Sequence, residues 1–139
     1  REHAGSATDR AAVEGLTGEL LVARRRAREA IPHLEAALRA DSTALARESL
    51  AHALAAAGDL GPAIELYRRI DGTPEFGWEG QERWYLAPYD IGVLEEARSD
   101  TVAALAAYGR FLARWRGGDA ALPLVTEVRG RVRRLGRDT

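Results

Sequence analysis

The chain has 139 residues, and its 20 basic side chains, all arginine, face 21 carboxylates, which gives a formal net charge of −1. This balance argues against a nucleic-acid-binding tail, and the absence of cysteine excludes disulfides, thiolate metal sites and a cysteine nucleophile. The uninterrupted apolar runs are far shorter than the ~20 residues that span a bilayer, so no membrane insertion is expected. Because methionine is absent and arginine comes first, we expect a piece of a larger protein.

The first two helices are predicted after a flexible N-terminal end over residues 1–7. Apolar residues at three- and four-residue spacing predict the first helix from about 9 to 24. The second carries Pro32, which removes a backbone donor, so it either begins late, near Ala30, or is kinked. We favour the late start, which places the proline in the first turn.

The middle of the chain predicts two further helices and then a loop. The third helix, from 43 to 57, ends at Gly58, in a position that favours a left-handed residue. The fourth has Pro62 in its first turn. The stretch 71–86 contains two glycines and no sustained helical period, which predicts an inserted loop, and the helix resumes at about Pro88.

The C-terminal part of the chain predicts a last hairpin and a cap. Ser99 and Asp100 form a turn like the one at Gly58, and a helix with an aromatic face follows. The final helix, over about 120–136, has apolar residues at intervals of three and four and arginines elsewhere. Such a polar-backed helix is typical of the end of a repeat stack, since the last hairpin would otherwise expose an apolar face.

An internal repeat is the most informative pattern in the chain. Three sets of residues recur at offsets of 33 and then 41: Gly18, Ala51 and Gly92; Ala30, Ala63 and Ala104; Leu34, Tyr67 and Tyr108. The small residues let two helices approach closely, and the large one fills the gap to the next hairpin. This period predicts stacked helical hairpins with an insertion at the second junction. The repeats are predicted at about 9–41, 42–74 and 84–117, in a single domain of residues 8–139.

These positions resemble the tetratricopeptide repeat family. The resemblance implies an all-α fold, an antiparallel helix-hairpin stack (an α-solenoid) of about three hairpins plus a C-terminal capping helix. The chain departs from the family where Glu14, Arg47 and Pro88 replace an early bulky aromatic residue, and the closing proline is missing after the first and third copies. Two stretches also look like repeats of multidomain bacterial signalling proteins: WYLAPYDIGVLEEARSD (84–100) and the ending that contains AYGRFLARW and GGDAALPLV (107–125). This similarity suggests a bacterial regulatory context.

The resemblance also implies where a partner would bind. In the family the concave surface is lined by each first helix, and the candidate partner-binding residues at those places are Glu19, Glu48, His52, Tyr89 and Glu96. The family's clamp for a terminal carboxylate is absent. Glutamates at these positions favour a basic or mixed peptide as the partner. The alternative is that these glutamates are simply solvated side chains on a helix surface.

Five of the nine aromatic residues fall between Phe76 and Tyr89, which adds Trp78 and Trp84 to the candidates. Tryptophan and tyrosine are enriched where partners bind, so this segment is either a binding platform or a plug that buries its own rings.

No arrangement in the sequence points to catalysis. The histidines lack metal-ligand spacing, and the sequence contains neither a phosphate-binding loop nor a nucleophile elbow. No aromatic residues are interleaved with the arginine runs, which argues against nucleic-acid binding. We therefore expect no enzyme activity, cofactor, metal or nucleic acid. The predicted function is a protein-interaction scaffold that binds a peptide or a neighbouring domain through the concave groove and the aromatic loop. The alternative is a spacer or self-association (homo-oligomer) module of a larger bacterial regulatory protein. A cytoplasmic location is favoured over the extracytoplasmic part of a membrane-anchored protein.

Overall fold

The computed structural model describes residues 2–74, 78–116, 118 and 122–138, and side chains within these except at 2–6 and 78–80. Every regular element in this part of the chain is an α-helix, which confirms the all-α prediction. The helices are α1 (Glu2–Ala23), α2 (Ala27–Ala40), α3 (Ala44–Ala56), α4 (Leu60–Asp71), α5 (Trp78–Ala97), α6 (Thr101–Arg114) and α7 (Pro123–Leu135). By its internal contacts the chain divides into two compact units, Arg1–Ile70 (unit 1) and Asp71–Thr139 (unit 2).

The first helix starts earlier than predicted. We expected a flexible end over residues 1–7, but α1 begins at Glu2. Once a helix is nucleated, each further residue adds one backbone hydrogen bond, so a short stretch with Gly5 and Ser6 does not stop it.

The second helix also starts earlier, at Ala27 rather than near Ala30, and Pro32 lies inside it. A proline at this position removes the hydrogen bond to the carbonyl of Arg28. At the helix start Arg26 Nε donates to Glu29 Oε1 at 2.7 Å, and Ala30 N donates to Arg26 O at 3.2 Å. These bonds keep the first turn helical.

The predicted loop over 71–86 is helical from Trp78, and Pro88 lies inside α5 rather than at its start. Pro88 has no N–H to offer the carbonyl of Trp84, four residues before it. Arg114 Nη1 on α6 donates to that carbonyl instead. A side chain from the neighbouring helix thus restores the bond that the proline removes.

Three turns close the helical hairpins with the same geometry. Arg25, Gly58 and Ser99 have φ values of 60°, 88° and 63°, and they recur at the offsets of the sequence repeat. In each turn the N–H of the left-handed residue donates to the carbonyl of the residue three positions earlier. The N–H of the following residue donates to the carbonyl of the residue five positions before it. This is the Schellman arrangement of a helix C-terminus.

The core of unit 1 forms where α1 meets α2. A Cβ on Gly18 would lie 2.4 Å from Leu34 Cγ, so only glycine allows this approach. Leu34 is buried in a cluster with Ala30, Leu50 and Ala53, against which Leu66 of α4 packs.

The core of unit 2 repeats this contact between α5 and α6. A Cβ on Gly92 would lie 2.4 Å from Tyr108 Cε1. Tyr108 and Phe111 are fully buried, and α7 covers them with Val125 and Val128. The outer face of α7 carries exposed arginines, as expected of the polar-backed final helix.

Candidate partner-binding cavity

The three candidate residues of unit 1 lie in different surroundings. Glu19 borders a cavity of about 440 Å³ between α1, α2 and α3, where its Oε1 accepts a hydrogen bond from Ser49 Oγ at 3.0 Å. Glu48 is half-buried and His52 is exposed, and neither lines this cavity. Of the three candidates, Glu19 alone lines this cavity, while Glu48 and His52 lie four residues apart on α3.

Trp84 is held by contacts within unit 2. Its Nε1 donates to the carbonyl of Asp71 at 2.9 Å, and the guanidinium carbon of Arg114 lies 3.9 Å from the ring centroid. Arg114 also binds the Asp71 carboxylate. The indole face and N–H of Trp84 are thus already engaged. Trp78 begins α5, and its side chain lies outside the described residues.

Tyr89 and Glu96 both bond to α7. Tyr89 Oη donates to Glu127 Oε1 at 3.2 Å. The two carboxylate oxygens of Glu96 accept from Tyr108 Oη at 2.8 Å, Arg131 Nη1 at 2.9 Å and Arg134 Nη2 at 2.5 Å. Glu96 therefore serves to hold α7 against α5 and α6.

The electrostatics of this cluster favour the charged carboxylate. Burial raises the pKa of Glu96, but the hydrogen bonds from Tyr108, Arg131 and Arg134 outweigh it and hold the pKa below its ordinary value of 4.5. Burial, and then the bond to Glu96, raises the pKa of Tyr108, so its hydroxyl stays protonated and donates.

Replacing Glu96 by glutamine is expected to lower the free energy of unfolding of unit 2 by about 2 kcal/mol at pH 7, because it removes charge-assisted hydrogen bonds. A carboxylate whose folded pKa is lowered stabilises above its unfolded value, and the effect is lost as the pH falls. The difference from wild type should therefore shrink below about pH 4.5. Denaturant unfolding followed by tryptophan emission measures it, since all three tryptophans lie in unit 2.

The control for this experiment is Glu127→Gln, which affects a more exposed carboxylate on the same arginine and should cost about 1 kcal/mol or less. If Glu96→Gln cost no more stability than Glu127→Gln, or if its cost were unchanged at acidic pH, the role of the Glu96 carboxylate in holding α7 would be contradicted.

A second and larger cavity lies between α5, α6 and the start of α7. Its volume is about 690 Å³, within the range of roughly 300–1,000 Å³ that is typical of ligand sites. Apart from Gln81 and Glu82, which are exposed, its walls are apolar or aromatic: Tyr85, Leu86, Phe111, Trp115, Leu122, Pro123, Leu124 and Val125.

The aromatic wall of this cavity is a set of rings in contact. Tyr85 lies 5.5 Å from Trp115, and Phe111 lies 6.0 Å from Trp115, measured between ring centroids. Trp115 Nε1 is buried without a hydrogen-bond partner in the described part of the chain. A buried N–H without a partner is costly, so an acceptor that reached it would stabilise the structure.

The sequence patterns did not single out this cavity. In the sequence, Trp115 and Phe111 belong to the predicted aromatic face of a helix, and Tyr85 is one of the five aromatic residues between Phe76 and Tyr89. The one available signal was the number of aromatic residues on α5 and α6, because their convergence depends on how the helices pack.

None of the described helices is long and apolar enough to cross a membrane. Within the same residues, no group of three or more histidine, aspartate and glutamate side chains is placed to hold a metal ion. Comparison of the chain with models of known protein families, with curated proteins and with solved structures finds no match.

Proposed function

We propose that this chain is a protein-interaction module and that the cavity between α5, α6 and α7 binds an apolar side chain of a peptide or of a neighbouring domain. The observation that carries the proposal is a cavity walled by aromatic rings, one of which, Trp115, also has a buried N–H without a partner among the described residues. Tryptophan and tyrosine supply much of the binding energy at interfaces, because they combine a large apolar surface with a polar group.

The chemistry of the cavity restricts what binds. An aliphatic or aromatic side chain fills the apolar interior, and a small shift of the Trp115 ring exposes its buried Nε1 to a backbone carbonyl of the partner. The exposed carboxylate of Glu82 at the rim favours a basic residue next to this anchor. The proposed partner is therefore a segment with an apolar anchor and a neighbouring arginine or lysine, and the proposed activity is binding alone.

The tetratricopeptide-like arrangement belongs to the same proposal. Its support is local: the three hairpin turns share one hydrogen-bond pattern at the repeat offsets, and Gly18 and Gly92 meet large side chains in equivalent ways. A groove lined by Glu19, Glu48 and His52 on the first helices stays a prediction of the family resemblance.

The cavity is tested with peptides selected from a random peptide library on the purified chain, whose dissociation constants are then measured by calorimetry. Tyr85→Ala removes one wall and should weaken binding on the order of tenfold or more. Trp115→Phe keeps a ring but removes the N–H and should weaken binding about two- to tenfold.

The matched control is His52→Ala, an exposed position in unit 1, which should leave the affinity unchanged. Peptides that bind wild type and both cavity variants equally would refute the proposed site, as would a selection that yields no binder.

A further inference from the structure

The outer face of α1 carries an exposed apolar stripe. Val13, Leu16 and Leu20 are 61%, 68% and 51% exposed, although their spacing is that of a buried helix face. The face of α1 toward α2 instead carries the small residues Gly15 and Gly18, and Leu21 and Val22 also pack on the core there. Single exposed leucines are common, but three large apolar residues on successive turns mark an interaction surface.

The repeat shows what this face does when a hairpin precedes it. The positions of α3 that correspond to the stripe, 33 residues later, are Ala46, Ser49 and Ala53. Ala53 is fully buried in the cluster with Ala30 and Leu34 of α2, and Ser49 donates to Glu19 on α1. The corresponding face of α1 is therefore a packing face that has no helix against it among the described residues.

The size of the side chains indicates what covers it. The small residues of α3 allow the close approach that hairpin stacking needs, whereas Val13, Leu16 and Leu20 hold a neighbouring helix farther away. Large residues at three- and four-residue spacing are the pattern of a coiled-coil seam, in which side chains of one helix fit between those of another. The stripe thus favours a paired helix over a further hairpin of the stack.

The stripe has opposite charges at its two ends. Asp9 lies four residues before Val13, and Arg24 lies four residues after Leu20. At 3.6 residues per turn these positions and the three apolar ones fall within about 80° of the helix circumference. Both charged side chains are exposed, and neither forms an ion pair with another described residue.

We infer that α1 is a self-association surface, on which α1 of a second copy packs antiparallel and places Asp9 of each copy against Arg24 of the other. In this pairing Val13 lies opposite Leu20, and Leu16 lies near the two-fold axis. A two-fold interface needs one surface that is complementary to itself, and the antiparallel order of acid, apolar stripe and base meets that condition. A parallel pair would instead place Asp9 against Asp9.

The seam is short. Three apolar residues from each copy bury less than the ~1,200 Å² of a stable interface. We therefore expect a weak dimer that forms as the protein concentration rises, with a dissociation constant of roughly 1–100 µM.

The first test is sedimentation velocity over a concentration series. Wild type should shift from one chain to two, and Leu16→Glu should weaken the dimer on the order of tenfold or more, because it places like charges in the seam. The control is Val102→Glu on α6, where an exposed valine (77%) lies outside the stripe, and it should leave association unchanged. A wild type that stays monomeric up to about 1 mM, or equal effects of both variants, would overturn the inference.

The second test fixes the orientation. Asp9→Arg and Arg24→Asp should each weaken self-association about tenfold, since each places like charges opposite one another in the antiparallel pair. An equimolar mixture of the two variants restores opposite charges at both ends, so a mixed dimer should form with about the affinity of wild type. A mixture that associates no better than either variant alone would overturn the antiparallel pairing.

Discussion

Replacing Gly92 by alanine is expected to lower the free energy of unfolding of unit 2 by about 2 kcal/mol, because overpacking a filled core usually costs about 1–3 kcal/mol. The added Cβ would lie 2.4 Å from Tyr108 Cε1, closer than two carbon atoms that are not bonded to each other can approach. Tyr108 is fully buried and bonded to Glu96, so it has little room to move away. Denaturant unfolding followed by tryptophan emission measures the change.

Gly109 on α6 provides the matched control for Gly92. It also lies in a helix of unit 2, but a Cβ there would meet no atom within 4 Å. Gly109→Ala should therefore raise the free energy of unfolding by about 0.5–1 kcal/mol, the usual gain of alanine over glycine in a helix. If the two substitutions changed stability alike, the close contact with Tyr108 would be wrong.

Replacing Arg114 by alanine is expected to lower the free energy of unfolding of unit 2 by about 3 kcal/mol. The guanidinium supplies the donor that Pro88 cannot give to the Trp84 carbonyl, binds the Asp71 carboxylate and stacks on the Trp84 ring. Its removal leaves the Trp84 carbonyl without this donor, and it leaves the mostly buried Asp71 carboxylate with the more distant Arg110.

The dependence on Pro88 gives this prediction a specific check. Pro88→Ala returns an N–H that can bond the Trp84 carbonyl, so Arg114→Ala should cost at least about 1 kcal/mol less in that background. Arg110→Ala is the control, because this more exposed arginine reaches the same aspartate at 3.4 Å and should cost about 1 kcal/mol or less. Equal costs of Arg114→Ala with and without Pro88 would show that the carbonyl is not the relevant acceptor.

Local patterns predicted the helices and the turns between them. The small residues at 18 and 92 lie where two helices of a hairpin approach closely, as the repeat implied. The repeat did not predict that the large residues at 34 and 108 meet them within the same hairpin. The left-handed turns fall where glycine or a polar residue follows a helix. These features depend on residues close in sequence, so the sequence of a single chain predicts them.

Features that depend on distant residues were missed. The sequence around Pro88 predicts a helix start, because nothing near it compensates for the missing N–H. The compensating Arg114 lies 30 residues after the Trp84 carbonyl to which it donates. Glu96 was predicted to face a partner, yet α7 supplies two arginines to it. The apolar period of α1 predicted the helix correctly, although the stripe faces outward.

The measurement that tests the proposed function most directly is the indole N–H spectrum of the ¹⁵N-labelled chain during titration with a selected peptide. The three tryptophans give three indole signals, and Trp115→Phe identifies one of them. We expect the Trp115 signal to move as its unpartnered N–H gains an acceptor, while the Trp84 signal, already bonded to Asp71, moves little. A peptide that binds and leaves the Trp115 signal in place would show that partners bind elsewhere on the chain.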